Sequence, residues 1–324
     1  MKVLVTGGLG FIGSHIVDAC VGRGDEVVSV DDLVSGKKEH ANPRAPNHKV
    51  DISDAGELGK IFEQVRPEII FHAAALARIQ PSFENPGRYF EVNVIGTRNI
   101  LNLAKKFGAR RVIYSASSSA YGNQDAPVLR EDLSLTSQAL HPYGSTKRMG
   151  EMLMRDKGRI TGGPETVCLR YFNVYGLRQT TMADGPYATV IGIFLGQLQA
   201  KKPLTIVPDG TQRRDFTWVA DVVRANLLAG ESSKVGDGEI INIGAGKNHS
   251  IWKVACLILD ASPDTIPEEL IKSEKCVMAP PRKGEIFSTL ADISKAKELL
   301  GWSPEISFEE GIKTLKNITS SKLF

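Results

Sequence analysis

The chain is poor in the residues and patterns that mark disulfide-rich, metal-binding and nucleic-acid-binding proteins. Its four cysteines lie far apart with no C-x-x-C pair, which predicts free thiols, mostly in the core, in a reducing compartment. The six histidines form no H-x-x-x-H or similar cluster, so we expect no metal site. The net charge is only +3 and no basic block is interleaved with aromatic residues, so nucleic acid is not indicated as a partner.

Long apolar runs are also absent from the sequence. No run is long enough to cross a bilayer, so no membrane partner is expected. Met1 leads directly into a short apolar segment, which predicts that there is no signal peptide and that the protein is cytoplasmic. The 324 residues, 42% hydrophobic and 24% charged, have the composition of a soluble globular protein and the length of one large or two ordinary domains.

The strongest pattern lies in the first twenty residues. Lys2–Val5 is a short β-branched run, typical of a buried parallel strand, and a glycine turn and a helical pattern follow it directly. Gly7, Gly10 and Gly13 would allow a tight turn, a close approach of backbone N–H groups to a pyrophosphate, and close packing of helix on strand. The positive end of the helix dipole would face the same anion. The residues predicted to contact a dinucleotide here are Gly7, Gly10, Phe11 and Ile12.

An acidic pair follows one βα unit downstream. Glu26–Val30 is the second predicted strand, and it ends at Asp31 and Asp32. A carboxylate at Asp31 would accept hydrogen bonds from the adenosine ribose hydroxyls and repel a 2′-phosphate, which favours NAD over NADP. The alternative is an ordinary strand, turn and helix followed by a solvated carboxylate.

Strands and helices alternate over the first half of the chain. This alternation predicts an α/β fold with a doubly wound parallel sheet of the Rossmann type. Further strands are predicted at Val50–Asp54, Glu68–His72, Arg111–Ser115 and Glu165–Arg170, and helices at Ala55–Val65, Pro86–Phe107 and Tyr143–Lys157. Ligands of such sheets bind beyond the carboxyl ends of the strands, which is where the motifs lie.

The pattern changes after Tyr171, where loops become frequent. Helices are predicted near Thr189–Ala200, Ile251–Ala261 and Ile293–Leu300, and Val219–Ile243 returns to the helix-then-strand style of the sheet. We therefore expect a smaller, discontinuous C-terminal α/β substrate domain beside the sheet domain. The expected NAD-binding Rossmann domain comprises residues 1–172 and about 215–245, and the expected nucleotide-sugar-binding domain about 173–214 and 246–324.

Tyr143 and Lys147 lie four residues apart on a predicted helix and so share one face. A free tyrosine, with a pKa near ~10, is a poor base at neutral pH, and lowering that pKa to about 7 takes on the order of 4 kcal/mol. An ammonium at about 4 Å supplies roughly that much at an effective dielectric constant of ~20, and a positive nicotinamide ring would add to it. Tyr143 is therefore expected to be the catalytic base, with Lys147 lowering its pKa and bonding the nicotinamide ribose.

A serine-rich segment follows the strand that precedes this helix. It runs from Ser115 to Gly122, and a hydroxyl there could bond the reacting oxygen of a substrate together with Tyr143. Ser117 is expected to be this catalytic hydroxyl. The alternative is a turn in which the serines cap backbone groups.

These motifs, with others in the same order, resemble the extended short-chain dehydrogenase/reductase family. Within it, the chain is similar to the nucleotide-sugar epimerase/dehydratase group, typified by UDP-glucose 4-epimerase. The resemblance covers nearly the whole chain. The motifs are TGGLGFIG at 6–13, DD at 31–32, DI at 51–52, HAAA at 72–75, N-x-x-G-T at 93–97, YGSTK at 143–147, RYFNVYG at 170–176, RRDFTWVAD at 213–221, NIG at 242–244 and R-x-G-E at 282–285.

The resemblance implies a role for each matching residue. Asp51 and Ile52 would flank the adenine, three alanines would line the cofactor trough, and Asn93 would brace the helix under the active site. The implied cofactor-contacting residues are Asp51, Ile52, Ala73, Ala74, Ala75, Asn93, Tyr143, Lys147 and Tyr171. The substrate-contacting residues would be Ser117, Ser118, Asn173, Arg214, Arg282 and Thr289. The two arginines would clamp the diphosphate, a task suited to the guanidinium group.

The implied reaction is a transient oxidation of the sugar at C4. Tyr143 would take the hydroxyl proton while hydride passes to tightly held NAD+ and later returns to the ketone. Similar 4,6-dehydratases carry an Asp-Glu pair directly after the catalytic hydroxyl, and similar decarboxylases carry a glutamate. This chain has Ser118 and Ser119 there, so 4-epimerisation of a UDP-hexose or UDP-N-acetylhexosamine is the predicted function. A UDP-uronate epimerase, a dehydratase or decarboxylase, a net NAD(P)H reductase and a non-enzymatic NAD-binding protein are the alternatives.

The choice of sugar depends on fewer residues. By its spacing from Arg282, Thr289 would limit the room around the C2 substituent, which predicts tolerance of an N-acetyl group as well as a hydroxyl. Arg78 and His141 could each reach an acidic sugar.

The two long helices suggest self-association. In the resembling family such helices pair in a four-helix interface, so a homodimer is expected, with Leu101, Met152 and Leu153 as exposed apolar residues.

Overall fold

A parallel sheet forms the centre of the computed structural model, which describes residues 1–135, 139–159, 162–182, 188–262, 265–281 and 286–321. Within these residues seven parallel strands pair in the order β3-β2-β1-β4-β5-β6-β11. They are β1 Lys2–Thr6, β2 Glu26–Val30, β3 Asn47–His48, β4 Ile69–His72, β5 Arg111–Ser117, β6 Glu165–Tyr171 and β11 Asp237–Ile243. The expected α/β fold with a doubly wound parallel sheet is confirmed.

Helices cover both faces of this sheet. The α-helices of the described residues are α1 Phe11–Arg23, α2 Ala55–Val65, α3 Ile79–Glu84, α4 Pro86–Phe90, α5 Thr97–Phe107, α6 Pro142–Arg159, α7 Val190–Gln199, α8 Val219–Glu231, α9 Ile251–Ile258, α10 Pro267–Lys272, α11 Ser294–Leu300 and α12 Phe308–Ser321. Of these, α7, α9, α10 and α12 pack among the later elements and not on the sheet. One buried cluster joins the sheet to α1, α8 and α11, and a second joins the opposite face to α2, α5 and α6. Within the described residues, no helix combines the length and hydrophobicity that a membrane crossing requires.

A third apolar cluster lies among the later elements. It contains Phe216, Trp218 and Phe308, and it is built from α7, α9, α12 and short strand pairs. The short strands are β7 Val174–Tyr175, β8 Leu204–Ile206, β9 Arg213–Asp215, β10 Thr217–Trp218, β12 Asn248–Ser250 and β13 Cys276–Met278. They pair as β10-β7, β12-β9 and β13-β8. All four cysteines of the chain are buried and free, as expected.

The strand predicted at Val50–Asp54 is wrong. The third strand is instead β3, which ends at His48, two residues before the predicted strand begins. The segment after β3 forms a turn that leads to α2. Asp51 accepts hydrogen bonds from the backbone N–H and the hydroxyl of Ser53, and Asp54 caps α2 by accepting from two N–H groups. These side-chain hydrogen bonds to nearby backbone compete with a strand ladder.

The helix predicted at Pro86–Phe107 is present but not uniform. Its middle, Glu91–Gly96, is π-helical, between α4 and α5. Such widened turns inside α-helices are frequent at functional sites. Here the turn carries Asn93, which is buried.

The predicted exposure of apolar residues on the long helices is correct only in part. Met152 on α6 is 63% exposed, and Leu153 is partly buried. Leu101 is fully buried in the cluster beneath α5, because the helix turns this residue towards the sheet.

Candidate active site

A cavity of about 380 Å³ lies beyond the carboxyl ends of β1 and β4. The sheet extends in opposite directions from these two strands, and such a switch point opens a crevice between the flanking loops. The lining includes most of the predicted site residues, brought together from seven segments of the chain. They are Gly7, Gly10, Phe11, Ile12, Asp31, Ile52, Ala73, Ala74, Ala75, Ser117, Ser118, Tyr143, Tyr171 and Asn173.

The glycine turn leaves backbone groups at the cavity wall. Gly7 has a φ of +70°, and a Cβ there would lie 2.8 Å from the backbone nitrogen of Ala74. A Cβ on Gly13 would overlap the carbonyl oxygen of Gly7, so α1 starts directly against the turn. Gly10 precedes α1 and offers no side-chain cap to its first N–H groups. This arrangement fits a pyrophosphate at the start of α1.

Asp31 is held in place at the other end of the cavity. Its carboxylate accepts hydrogen bonds from the backbone N–H groups of Leu33 at 2.8 Å and Leu9 at 3.0 Å. Burial raises the pKa of Asp31, and these backbone hydrogen bonds oppose that effect. A carboxylate has about four lone-pair sites, so it can still accept from ribose hydroxyls. The trough, its alanines and this carboxylate together fit NAD.

Three predicted cofactor residues, Asp51, Asn93 and Lys147, are not among the described residues that line the cavity. Asp51 bonds Ser53 and forms an ion pair with Arg88. Burial would raise the pKa of Asp51, but the hydrogen bonds from Arg88 and Ser53 outweigh it and lower the pKa. Asn93 is buried behind the wall, where its side chain pairs with both the N–H and the carbonyl of Leu76. Asn93 therefore shapes the wall through Leu76.

Tyr143 and Ser117 both lie in the cavity wall, and the Ser117 hydroxyl accepts a hydrogen bond from the backbone N–H of Ser119 at 3.1 Å. Burial raises the pKa of Tyr143, while the side chain of Ser117 and the charge of Arg78 lower it. The expectation that the residues of the chain lower this pKa towards 7 is therefore wrong for the protein groups alone. The physical reason is that the cost of burying a phenolate exceeds what the neighbouring groups return.

Lys147 is buried and lies four residues after Tyr143 on α6. Its ammonium donates to the carbonyl of Ser115 at 2.7 Å and sits 4.8 Å from the ring centroid of Tyr114. Burial lowers the pKa of Lys147 to about 8, and the charge of Glu151 opposes that shift. Lys147 therefore changes between its charged and neutral forms near pH 8.

His141 stacks on Tyr143, with ring centroids 6.0 Å apart and ring planes 8° apart. Its Nδ1 accepts a hydrogen bond from the N–H of Gly144 at 3.0 Å, near the start of α6. Burial lowers the pKa of His141 to about 4, so the ring is neutral near pH 7. The ring of His141 therefore carries no positive charge that would attract an acidic sugar.

A continuous hydrogen-bond chain lies beneath the site. The ring of His72 is bonded to Thr6 at 2.7 Å and to Thr97 at 2.9 Å, and the Thr97 hydroxyl donates to the carbonyl of Asn93. Asn93 also donates to Thr146, whose hydroxyl donates to the carbonyl of Tyr143. Sequence reasoning assigned no role to the threonines, although two of them lie inside the N-x-x-G-T and YGSTK motifs. Their positions within these motifs were the feature of the sequence that could have identified them.

A second cavity, of about 290 Å³, adjoins the first. It extends towards α7 and α9, and Arg214 and Thr289 are in its wall. Thr289 is buried and its hydroxyl faces the side chain of Asn173 at 3.4 Å. Arg214 donates to the carbonyl of Phe287 at 3.2 Å. The residues shared by the two cavities are Arg78, Ile79, Ser118, Ser119, Asn173 and Val174. Arg282 lies outside the described residues.

Comparison with known proteins gives the same assignment as the geometry. Residues 3–244 match the model of the NAD dependent epimerase/dehydratase family. The chain is 38% identical over 317 residues to a putative UDP-glucose 4-epimerase of Methanocaldococcus jannaschii, covering 97% of each chain. It is 37% identical to the UDP-glucuronate 4-epimerase of Thermodesulfobacterium geofontis, covering 97% of this chain and 94% of the relative.

A solved structure is similar over the full length. The UDP-glucose 4-epimerase of Thermotoga maritima, crystallised with UDP-glucose, superposes with a TM-score of 0.90 at 36% identity and covers 100% of both chains. The similarity to this structure thus extends over the full length of the chain, including the sheet, the cavity beyond β1 and β4, and both Ser117 and Tyr143. The chain belongs to the NAD-dependent epimerase/dehydratase family, as an NAD-dependent epimerase of the extended short-chain dehydrogenase/reductase type.

Proposed function

We propose that this protein inverts C4 of a UDP-linked hexose that carries a hydroxyl or an N-acetyl group at C2. The observation that carries the proposal is that Ser117 and Tyr143 both line the first cavity, next to Ser118, which lines both cavities. The next two residues, Ser118 and Ser119, also line the cavity and offer no carboxyl group. Without such an acid or base, removal of the C5 proton has no agent there, and hydride return is the simplest outcome.

The residues of the chain position the sugar and move one proton. Ser117 would bond the C4 oxygen, and Tyr143 would accept its proton. When bound, NAD supplies the acceptor for the C4 hydride, the same hydride for the return step, and a positive ring next to Tyr143. Lys147, held by the carbonyl of Ser115, would bond the nicotinamide ribose.

The second cavity is proposed to hold the nucleotide and its diphosphate. Asn173 and Arg214 in its wall, with Arg282 beyond the described residues, would bind the phosphates. Buried Thr289 would face the C2 substituent. The two relatives compared above are named as 4-epimerases of different UDP-sugars, which supports inversion at C4 more than any one sugar.

The domain division is proposed on the same basis. The elements around the first cavity would form the NAD-binding domain, comprising residues 1–172 and about 215–245. The elements around the second cavity would form the substrate domain, comprising about 173–214 and 246–324. β11 supports this division because it pairs with β6 in the sheet although it lies late in the chain.

The test is turnover of a panel of UDP-, GDP-, dTDP- and CDP-sugars, with inversion at C4 followed by NMR. Tyr143→Phe removes the proton acceptor, so we expect kcat to fall by about 10²-fold or more. NAD should stay bound, because the ring and its packing remain. Tyr89→Phe is the matched control, since Tyr89 is a buried neighbour whose ring lies 6.3 Å from that of Tyr143.

Two results would contradict the proposal. One is that no sugar nucleotide of the panel is inverted at C4 by the NAD-loaded protein. The other is that Tyr143→Phe turns over as fast as Tyr89→Phe.

A further inference from the structure

Arg78 lies where the two cavities meet. It lines the first cavity with Tyr143 and Ser117, and it lines the second with Arg214. Its Nη2 donates to the hydroxyl of Thr180 at 3.1 Å, and Thr180 is itself in the wall of the first cavity. The guanidinium group is therefore anchored in the wall of the cavity that also contains Tyr143 and Ser117.

The backbone of Arg78 is in an unusual conformation. Its φ is +114°, a region that residues with a Cβ rarely adopt. The residue directly precedes α3 and follows the segment that Asn93 holds through Leu76. Backbone strain of this kind persists only where the surroundings enforce it, and it concentrates at ligand-binding sites.

The charges around the second cavity are one-sided. Among its described lining residues, Arg78 and Arg214 carry positive charge, and no carboxylate is present. Arg214 lines the second cavity only, whereas Arg78 also faces the Tyr143 side. The positive charge of Arg78 also lowers the pKa of Tyr143. A ligand matched to this distribution carries negative charge at both ends.

We propose that Arg78 binds a carboxylate at C6 of the sugar, so that the preferred substrate is a UDP-linked hexuronate. This proposal rests on the proposed function, which puts the diphosphate near Arg214 and C4 at Tyr143. C6 is attached to C5, the neighbour of C4, so its substituent lies on the same side of the cavity as the reacting carbon. A planar guanidinium pairs with a carboxylate through two parallel hydrogen bonds, which a neutral hydroxymethyl group cannot form.

The test compares UDP-glucuronate with UDP-glucose as substrates of the NAD-loaded enzyme. The wild-type protein should show the higher kcat/KM with UDP-glucuronate. Arg78→Gln removes the effect of Arg78 on Tyr143 for both sugars, so it should lower both kcat/KM values, and the loss with UDP-glucuronate should exceed the loss with UDP-glucose at least tenfold. Arg78→Lys should keep part of the preference, since it retains the charge without the planar fork. Arg44→Gln, the same change at an exposed position away from both cavities, is the matched control.

Calorimetric binding of the two nucleotides separates this inference from the proposed function. If the protein inverts UDP-glucose but neither binds nor converts UDP-glucuronate better, the inference about Arg78 is wrong and the function stands. If no sugar is inverted, the function is wrong, and preferential binding of UDP-glucuronate that Arg78→Gln abolishes still supports the anion site. Equal losses with both sugars in Arg78→Gln would overturn the assignment, because the charge would then serve Tyr143 alone.

Discussion

His72 shows how a single buried side chain connects the ends of two strands to the helix behind the active site. Thr97 donates to the carbonyl of Asn93, so its oxygen must accept from Nε2–H of His72, and Nδ1 then accepts from Thr6. The ring is fully buried and its pKa is lowered to about 3 by burial, with a further contribution from the charge of Lys147. The neutral ring is thus part of the native hydrogen-bond network.

This network predicts a specific pH dependence of stability. An unfolded histidine, with a pKa near 6.5, takes up a proton below that pH, whereas native His72 does not until about pH 3. The unfolded state therefore binds more protons in that window, and stability is lost as pH falls from about 6.5 to 3. Between pH 7 and 4.5 the loss from this group is on the order of 3 kcal/mol.

Urea unfolding of the wild type and of His72→Gln at several pH values measures this effect. The gap in unfolding free energy between the two proteins should narrow by about 3 kcal/mol between pH 7 and 4.5. Curves that stay parallel over this range would show that native His72 takes up its proton over the same pH range as in the unfolded chain.

At the scale of elements, the first turn of α1 packs directly against backbone atoms of the preceding glycine turn. Gly13 faces the carbonyl of Gly7 so closely that a Cβ does not fit, and Gly7 in turn faces the backbone at Ala74. Gly13 is therefore required for α1 to pack against the turn, in addition to the role of the glycine turn in exposing backbone N–H groups. At Gly22, near the end of the same helix, the position that a Cβ would occupy has open space around it.

The two glycines predict opposite effects of the same substitution. Gly13→Ala should destabilise the protein by about 1–3 kcal/mol, because α1 must move away from the turn, and should weaken NAD retention. Gly22→Ala is the matched control and should stabilise by roughly 0.5–1 kcal/mol, since alanine favours a helix. Thermal unfolding and the absorbance of cofactor retained after gel filtration measure both effects. Unchanged NAD retention in Gly13→Ala would contradict this account of the turn.

At the scale of the whole molecule, α6 presents apolar side chains to solvent. Met149 and Met152 are 40% and 63% exposed and lie three residues apart, on one face of the helix. Phe90 at the end of α4 is 44% exposed, and α4 packs against α6. We propose that these helices pair with those of a second copy in a homodimer, as the family resemblance implies.

A charge on this face should prevent the pairing. Met152→Glu would place a carboxylate in an apolar interface, at a cost that shifts the protein towards the monomer. Light scattering after gel filtration should give the mass of a dimer for the wild type and of a monomer for the variant. Met278→Glu, at a 42% exposed methionine on β13, is the control and should remain dimeric. A monomeric wild type would rule out the homodimer.

The sequence by itself determined the local elements and the residue types of the site. Strand, glycine turn and helix are neighbours in the chain, so Gly7, Gly10 and Asp31 could be assigned from spacing alone. Tyr143 and Lys147 share a helix face for the same reason. Side-chain hydrogen bonds of Asp51 and Asp54 to nearby backbone favour a turn where a strand was predicted at Val50–Asp54. A hydrophobic pattern does not reveal such bonds.

Only the tertiary structure decided how these residues act on one another. The pKa of Tyr143 depends on burial, and burial depends on segments that are distant in the chain. The neutral state of His141, the hydrogen-bond chain through His72, and the place of Arg78 at the meeting of two cavities follow from the same packing. Periodicity and spacing record which residues are close along the chain, whereas charge and solvation depend on which residues are close in space.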